Sequence, residues 1–402
     1  MYLFFIKQNT ISCKFNDYYF DNKKNVSLHR SIENTVPMHL KRAILTFVSA
    51  AALTIPVRAQ WKYEIPFPKP LQAESDTVTI SFIGDVMMHA RQLEYDCAPF
   101  LSELSTVTEG ADISVANLEY TLAGEPYTGY PCFSAPDSYA SYAADRGIDV
   151  FLTANNHILD KGDKGLLRTL EIYEGLKKAR GIQYTGTASN ADSDTLQNPL
   201  IVVGKGIRIA LVNFTYGTNN SSPSAYPKVN RMKKESVKAL LDRAKAKGAD
   251  FIIALPHWGN EYQLHHSATQ QDWAEWLAKE GADLIVGAHP HVVQDTSHIA
   301  GTPVIYSMGN AVSNMSATNT RLELAVTARL VKHADGRKEV LEPELTFLWC
   351  TLPGTLTGSY CTIPVKKYIG RRSEWKSPAD YDNMVTTYKR VIKETGINEE
   401  DN

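Results

Sequence analysis

From Val78 onward, short apolar runs alternate with amphipathic stretches, and each apolar run stops at a cluster of polar residues. The runs at 78–83, 112–116, 149–152, 207–214, 249–255, 283–286 and 303–306 have strand length and are rich in Val, Ile, Leu and Phe. Residues 136–147, 163–180, 233–247 and 268–281 between them carry apolar side chains at helical spacing. A strand with no polar side must be covered on both faces, so the alternation predicts an α/β protein with buried sheets. Gly248 and Gly281 each close a helical stretch just before a strand begins. After about residue 311 the rhythm changes. Leu322, Leu324, Val326, Ala328 and Leu330 alternate with polar neighbours as in an antiparallel strand, 341–349 looks similar, and a helix near 378–394 closes the chain.

The 402 residues carry a formal charge of −2, with 43% apolar and 21% charged side chains. That is enough for one large core or two, and it gives no electrostatic reason to expect nucleic-acid binding. An anionic substrate must be attracted locally, by a metal or a few cations. Near the amino end, Met38-His39-Leu40-Lys41-Arg42 precedes an apolar stretch and then Val57-Arg58-Ala59, the pattern of a signal peptide cut before Gln60. The expectation is that 1–37 is an upstream extension from a misassigned start, 38–59 a signal peptide, and 60–76 a proline-punctuated linker. The main domain is expected over 77–331, with strands and a closing helix over 332–402. The mature protein is then exported, to the periplasm or cell envelope. Cys97, Cys132, Cys350 and Cys361 remain after cleavage; Cys97–Cys132 and Cys350–Cys361 are the short-loop pairings such a compartment permits.

The polar residues closing the strands include Asp85, His89, Glu119, Asn156, His157, His257, His289 and His291. In open α/β sheets ligands bind at the carboxyl ends of strands. Carboxylates, an amide oxygen and imidazoles form a mixed set suited to Zn, Mn or Fe. One ion takes roughly four to six ligands, so this set points to two divalent ions sharing a bridging carboxylate, the arrangement that clamps both oxygens of a phosphoryl displacement. Taken singly, each residue has a plainer reading. Asp85 is a turn residue or helix cap, Glu119 a solvated carboxylate, Asn155 and Asn156 turn formers, and His257 a hydrogen-bonded core histidine. The joint pattern favours the metal. In an extended His289-Pro290-His291 both rings share a side. His157 follows Asn156 directly and is placed as the proton donor to a leaving group, with Asp160 either orienting it or capping the next helix. Trp258 and Tyr262 either line a cleft or pack the loop carrying His257. Arg91 either meets an anionic substrate or is a surface arginine, and Ser307 and Asn310 are candidate hydrogen-bond partners of metal-bound imidazoles.

The motifs GDVMMH, ANLE, TANNHILDKG, PHWGNEY, VGAHPHVVQ and YSMGN, in this order over about 77–327, resemble the bacterial CapA family of capsule and poly-γ-glutamate synthesis proteins, which is similar to the calcineurin-like metallophosphoesterases. The resemblance implies a four-layer αββα sandwich with a dinuclear centre at the sheet edges. It implies Asp85, Glu119, Asn156, His257, His289 and His291 as metal ligands and His157 as general acid. Two departures stand out. The superfamily's Asp-x-His is here Asp85-Val86-Met87 with a histidine only at 89, and Glu119 stands where the superfamily has a bridging aspartate. The function implied is hydrolysis of a phosphoester or a γ-glutamyl amide, with an anionic surface polymer or its precursor and a membrane synthase complex as partners. A non-catalytic, polymer-binding accessory subunit of that synthase is the alternative.

Overall fold

The computed structural model describes residues 77–397 and, as a unit of its own within residues 1–62, the backbone of an antiparallel hairpin of Phe4–Lys7 and Thr10–Cys13. The expected signal peptide at 38–59 and linker at 60–76 lie outside the described residues.

The main body opens with four parallel strands: β1 (Thr77–Val86), β2 (Ile113–Leu118), β3 (Val150–Leu152) and β4 (Gln183–Thr185). The chain then builds a second sheet from β5 (Leu200–Gly204), β6 (Ile207–Thr215), β7 (Phe251–His257), β8 (Leu284–Val286), β9 (Thr296–Ile299) and β10 (Thr302–Ile305). Its order is β9-β10-β8-β7-β6-β5, parallel in the middle and antiparallel at both edges. Finally the chain returns to the first sheet with β11 (Asn310–Val312), β12 (Leu322–Lys332), β13 (Glu344–Thr351) and β14 (Cys361–Pro364). That sheet reads β14-β13-β12-β1-β2-β3-β4, with β11 paired to the end of β1. The longer helices are α1 (Asp137–Asp145), α2 (Gly162–Arg180), α3 (Lys234–Ala246), α4 (Ala268–Lys279) and α5 (Pro378–Thr395).

Burial explains the unbroken apolar runs. Ile80, Phe82, Ile209, Leu211, Phe251 and Ile253 meet in one core between the two sheets. Ala116 and Phe151, on the first sheet's other face, pack with Tyr139 of α1 and Leu166 and Leu170 of α2. Val212, Ile252 and Ala254, on the second sheet's outer face, pack with Val237 and Leu241 of α3 and Leu277 of α4. Successive residues of one strand thus serve different cores, and the architecture is the four-layer αββα sandwich the resemblance implied. Met384 and Val391 of α5 join the middle core, so the last helix is part of the same body. Among the described residues no helix is long and apolar enough to cross a membrane.

The disulfides do not form. All four described cysteines are free thiols. In the β13–β14 register Cys350 lies opposite Thr362 and Cys361 opposite Thr351. Neighbouring rungs point to opposite faces, so Cys350 enters the core under α1 and α2 while Cys361 enters the core between the sheets.

Candidate metal centre

The first sheet supplies oxygens. Near the end of β1, Gly84-Asp85 is pressed against the loop before β11: Asp85 N–H donates to Gly309 O at 3.0 Å. A Cβ at position 84 would lie 2.2 Å from that same oxygen, so only glycine fits. The Asp85 carboxylate is fully buried and accepts from Asn117 Nδ2 at 2.7 Å. Two residues beyond Asn117, on the same side of the extended chain, is Glu119, also fully buried. Its Oε2 lies 3.4 Å from Asn117 Nδ2, while Oε1 has no hydrogen-bond partner. After β3, Asn155 Nδ2 donates to Leu118 O at 2.9 Å and bridges to Asn117, so it braces the neighbouring loop. Asn156 turns its Oδ1 to His257 Nε2, 2.8 Å away.

The second sheet supplies imidazoles. His257 ends β7, and a bridge between His257 and Ala288 ties that end to the loop after β8. His289 and His291 follow. The sequence pattern placed them in an extended segment, but both have positive φ, 100° and 58°. Such non-glycine conformations are costly and need support. Both residues nevertheless reach the first sheet, His289 through its backbone and His291 through its ring. His289 N–H points at Asp85 Oδ2 at 3.4 Å, and His291 Nδ1 lies 3.2 Å from Asp85 Oδ2 and 2.8 Å from Asn310 Oδ1. His289 Nδ1 is buried without a partner.

Glu119 Oε1 sits 3.7 Å from His257 Nε2, 3.8 Å from His291 Nε2 and 3.9 Å from His157 Nε2. These separations are too long for hydrogen bonds, and they are close to the ~3–3.5 Å that ligand atoms keep around a shared ion at the bond lengths of such metals. Two donor groups converge there, Asp85–Glu119–His257 and Glu119–His289–His291, each within 4.8 Å and both using Glu119. Electrostatics agree. Burial, then the Asp85 charge, pushes the Glu119 carboxyl well above its ordinary range. Burial and the neighbouring imidazoles hold His257 well below the usual histidine value and His289 at about 3. Burial is the strongest single influence and opposes charge on His291, but the bond to Asp85, the Asp85 charge and the bond to Asn310 together outweigh it and raise the group. A buried carboxylate whose charge is disfavoured, beside two imidazoles whose protonation is disfavoured, is a setting that a cation reconciles. The residues fit a divalent-metal centre, and the orphaned Glu119 and His289 atoms are its clearest mark.

His157 stands beside this group. Its Nδ1 is 2.7 Å from Asp160 Oδ2, which also accepts the Phe133 N–H at 2.8 Å. The helix-cap alternative for Asp160 fails, because α2 has Lys161 at its cap position with no side-chain bond. Asn219 Nδ2 lies 3.1 Å from His157 Nδ1. The remaining candidates are placed elsewhere. His89 is in neither donor group. Its Nδ1 faces Gln92 at 3.2 Å and accepts from Asn314 N–H at 3.3 Å, and burial lowers it to about 4. Arg91 is exposed and paired with Glu94. Trp258 is fully buried and donates to Tyr306 O at 2.9 Å, so it packs the loop. Tyr262 stands at the rim, 42% exposed, its ring 6.5 Å from His291. Ser307 donates to Val292 O at 2.8 Å, supporting the segment after His291. Sequence reasoning missed Asn117, Asn219, Tyr216, whose ring is 4.5 Å from His289, and Glu323, whose Oε1 accepts the Gly84 N–H at 2.7 Å.

Two stacked sheets clad in helices thus carry carboxylate, amide and imidazole donors where their strand ends adjoin, a four-layer αββα fold with a candidate metal centre at its sheet edges. The chain belongs to the bacterial capsule synthesis protein family PGA_cap, whose family model matches residues 79–315. A capsule biosynthesis protein CapA of Bacillus anthracis is 26% identical over 281 residues, which are 66% of this chain and 67% of that protein. A PGA biosynthesis protein CapA of Bacillus subtilis is 26% identical over 336 residues, 79% of this chain and 85% of that one. Among solved structures, the NAD nucleotidase of Haemophilus influenzae aligns with a TM-score of 0.44 and 14% identity, over 78% of this chain and 62% of that chain.

Proposed function

We propose that this protein is an exported metal-dependent hydrolase acting in the assembly or release of an anionic surface polymer of the capsule or poly-γ-glutamate kind. The bond cleaved is a phosphoester or a γ-glutamyl amide. One observation carries the reading: Glu119 is common to both donor groups, and its Oε1, buried and without a hydrogen bond, has His157 Nε2 3.9 Å away.

Asp85, Glu119, Asn156, His257, His289 and His291 would hold two divalent cations. When bound, such a pair polarises the scissile group and lowers the pKa of a water nucleophile. The chain's own residues then set direction. Asp160 accepts the Nδ1–H of His157, which fixes the tautomer and turns Nε2 towards the centre. As the imidazolium, with Nδ1–H on Asp160, the ring gives its Nε2 proton to the departing oxygen or nitrogen. Phe133 packs edge-on against the imidazole at 4.6 Å and limits its rotation. Export is supported by the basic, apolar and small residues in succession over 38–59.

The test is elemental analysis of the purified protein with assays on an aryl phosphate and a γ-linked glutamate oligomer. Bound Mn, Zn or Fe together with turnover is expected. His157→Ala should abolish turnover while metal content stays at the wild-type level. Metal with no turnover on either substrate would favour a polymer-binding accessory role, and joint loss of metal would make His157 a ligand.

A further inference from the structure

The net charge gives an anionic substrate no general attraction, so the rim of the centre should carry a cation free to meet it. Arg231 has that placement. In the second sheet His257 pairs with Thr215, and Thr215 bridges to Arg231 in the parallel sense. Rungs are about 4.8 Å apart, so the Arg231 backbone lies about 10 Å from that of His257. Residues paired across a ladder project to the same face. Arg231 therefore leaves the sheet on the side from which His257 enters the centre.

No carboxylate among the described residues pairs with Arg231. Among the described residues the guanidinium's bond is Nη2 to Thr218 Oγ1, at 2.6 Å, and burial lowers the group with no carboxylate to offset it. The adjacent Asn219 points Nδ2 at Asp160 Oδ1, 3.4 Å away, and donates its backbone N–H to Asn156 O at 2.8 Å. One short loop thus fixes the guanidinium and braces the proton donor. A half-buried arginine with donors left over is suited to a planar oxyanion, held by two parallel bonds.

We propose that Arg231 is a specificity-determining residue that holds an oxyanion, carboxylate or phosphate, on the leaving portion of the substrate. This rests on the hydrolase reading for its direction, since His157 marks the leaving side. Poly-γ-glutamate supplies such a group as the free carboxylate of the next residue, and a phosphorylated precursor supplies it as phosphate.

Calorimetric titration of the metal-loaded protein with inorganic phosphate and with a γ-linked glutamate trimer tests it without requiring turnover. Arg231→Gln should weaken at least one of the two about 10- to 100-fold, the range for bonds to a charged group, with the thermal midpoint unchanged. Loss for the trimer alone identifies the carboxylate, and loss for phosphate alone the phosphate. If Arg231→Gln lowers the midpoint, Arg231→Lys carries the test, with several-fold weakening expected because it keeps the charge but loses the fork. Equal affinities in wild type and variants, or no binding of either ligand to wild type, overturns the proposal. Binding that depends on Arg231 without turnover leaves it standing and removes the hydrolase reading instead.

Discussion

The two sheets contribute to the centre in different ways. On the first sheet the donors follow regular strands, and their hydrogen bonds are mostly met inside the protein: Asn117 holds Asp85, and Asn155 holds the loop behind Glu119. On the second sheet the donors are imidazoles, two of them on left-handed backbone, and His289 keeps a buried nitrogen with no partner. The oxygen side is organised by strand geometry. The imidazole side is incomplete without something to bind. Glu119, whose Oε1 faces three imidazole nitrogens, is where the two meet. One half rests on regular strands, the other on left-handed backbone held by contacts from elsewhere in the chain.

Breaking the junction gives the largest effect. Glu119→Gln removes the charge both donor groups share, so both ions should be lost together and any hydrolysis should fall about 10³-fold or more. Retention of the full metal complement by elemental analysis would mean the halves bind independently. A smaller change probes the support of the first half. Burial holds the Glu323 carboxyl at about 8, against 4.5 for the unperturbed group, although it accepts the Gly84 N–H next to Asp85. The folded state therefore binds this proton more tightly than the unfolded chain. The stabilisation is full below about 4.5 and is lost as pH climbs to about 8. Glu323→Gln imitates the protonated form. In chelator its unfolding free energy should gain on that of the wild type across that window, the gap widening with pH to a few kcal/mol at the upper end. Parallel pH profiles would show that Glu323 is not the titrating support of Asp85.

The difference between the halves also governs what could be read from the sequence. Apolar runs ending in polar residues located the strands that carry Asp85, Glu119, Asn156 and His257, because strands buried on both faces have no other reason to stop at such residues. Short edge strands such as β4 and β9 carry too few apolar residues to announce themselves. Asn117 was visible in principle, two residues before Glu119 on the same side of an extended segment. Glu323 was not. It alternates with Leu322 and Leu324, and alternation in an antiparallel strand reads as solvent-facing, but β12 lies at the middle of its sheet and is covered on both faces. The histidine pair was located by its residue types, yet its backbone was misjudged, because proline stiffness says nothing about the left-handed turn that Asp85 and Asn310 support from elsewhere in the chain. Arg231 and Asn219 belong to the centre only through sheet register and loop contacts, which no local pattern encodes.

The smallest expected effect sharpens the comparison most, because it separates strain from ligation. Asn310 Oδ1 lies 2.8 Å from His291 Nδ1, and its Nδ2 donates to Thr320 O at 3.1 Å, so the amide is fixed from behind. Asn310→Ala removes no ligand and leaves the first sheet's donors in place. It leaves the His291 ring held at Nδ1 by Asp85 alone, and Nε2 is the nitrogen turned towards Glu119. Outer hydrogen-bond partners of this kind are worth about 10- to 100-fold in metal affinity. The loss should fall on the ion held by Glu119, His289 and His291, with the ion at Asp85, Glu119 and His257 less affected. Competitive titration with a chromophoric chelator resolves the two: one stoichiometric step should weaken and the other should hold. Uniform weakening of both would mean that His291 is shared between the ions, and that the division into a rigid oxygen half and a responsive imidazole half fails at that residue.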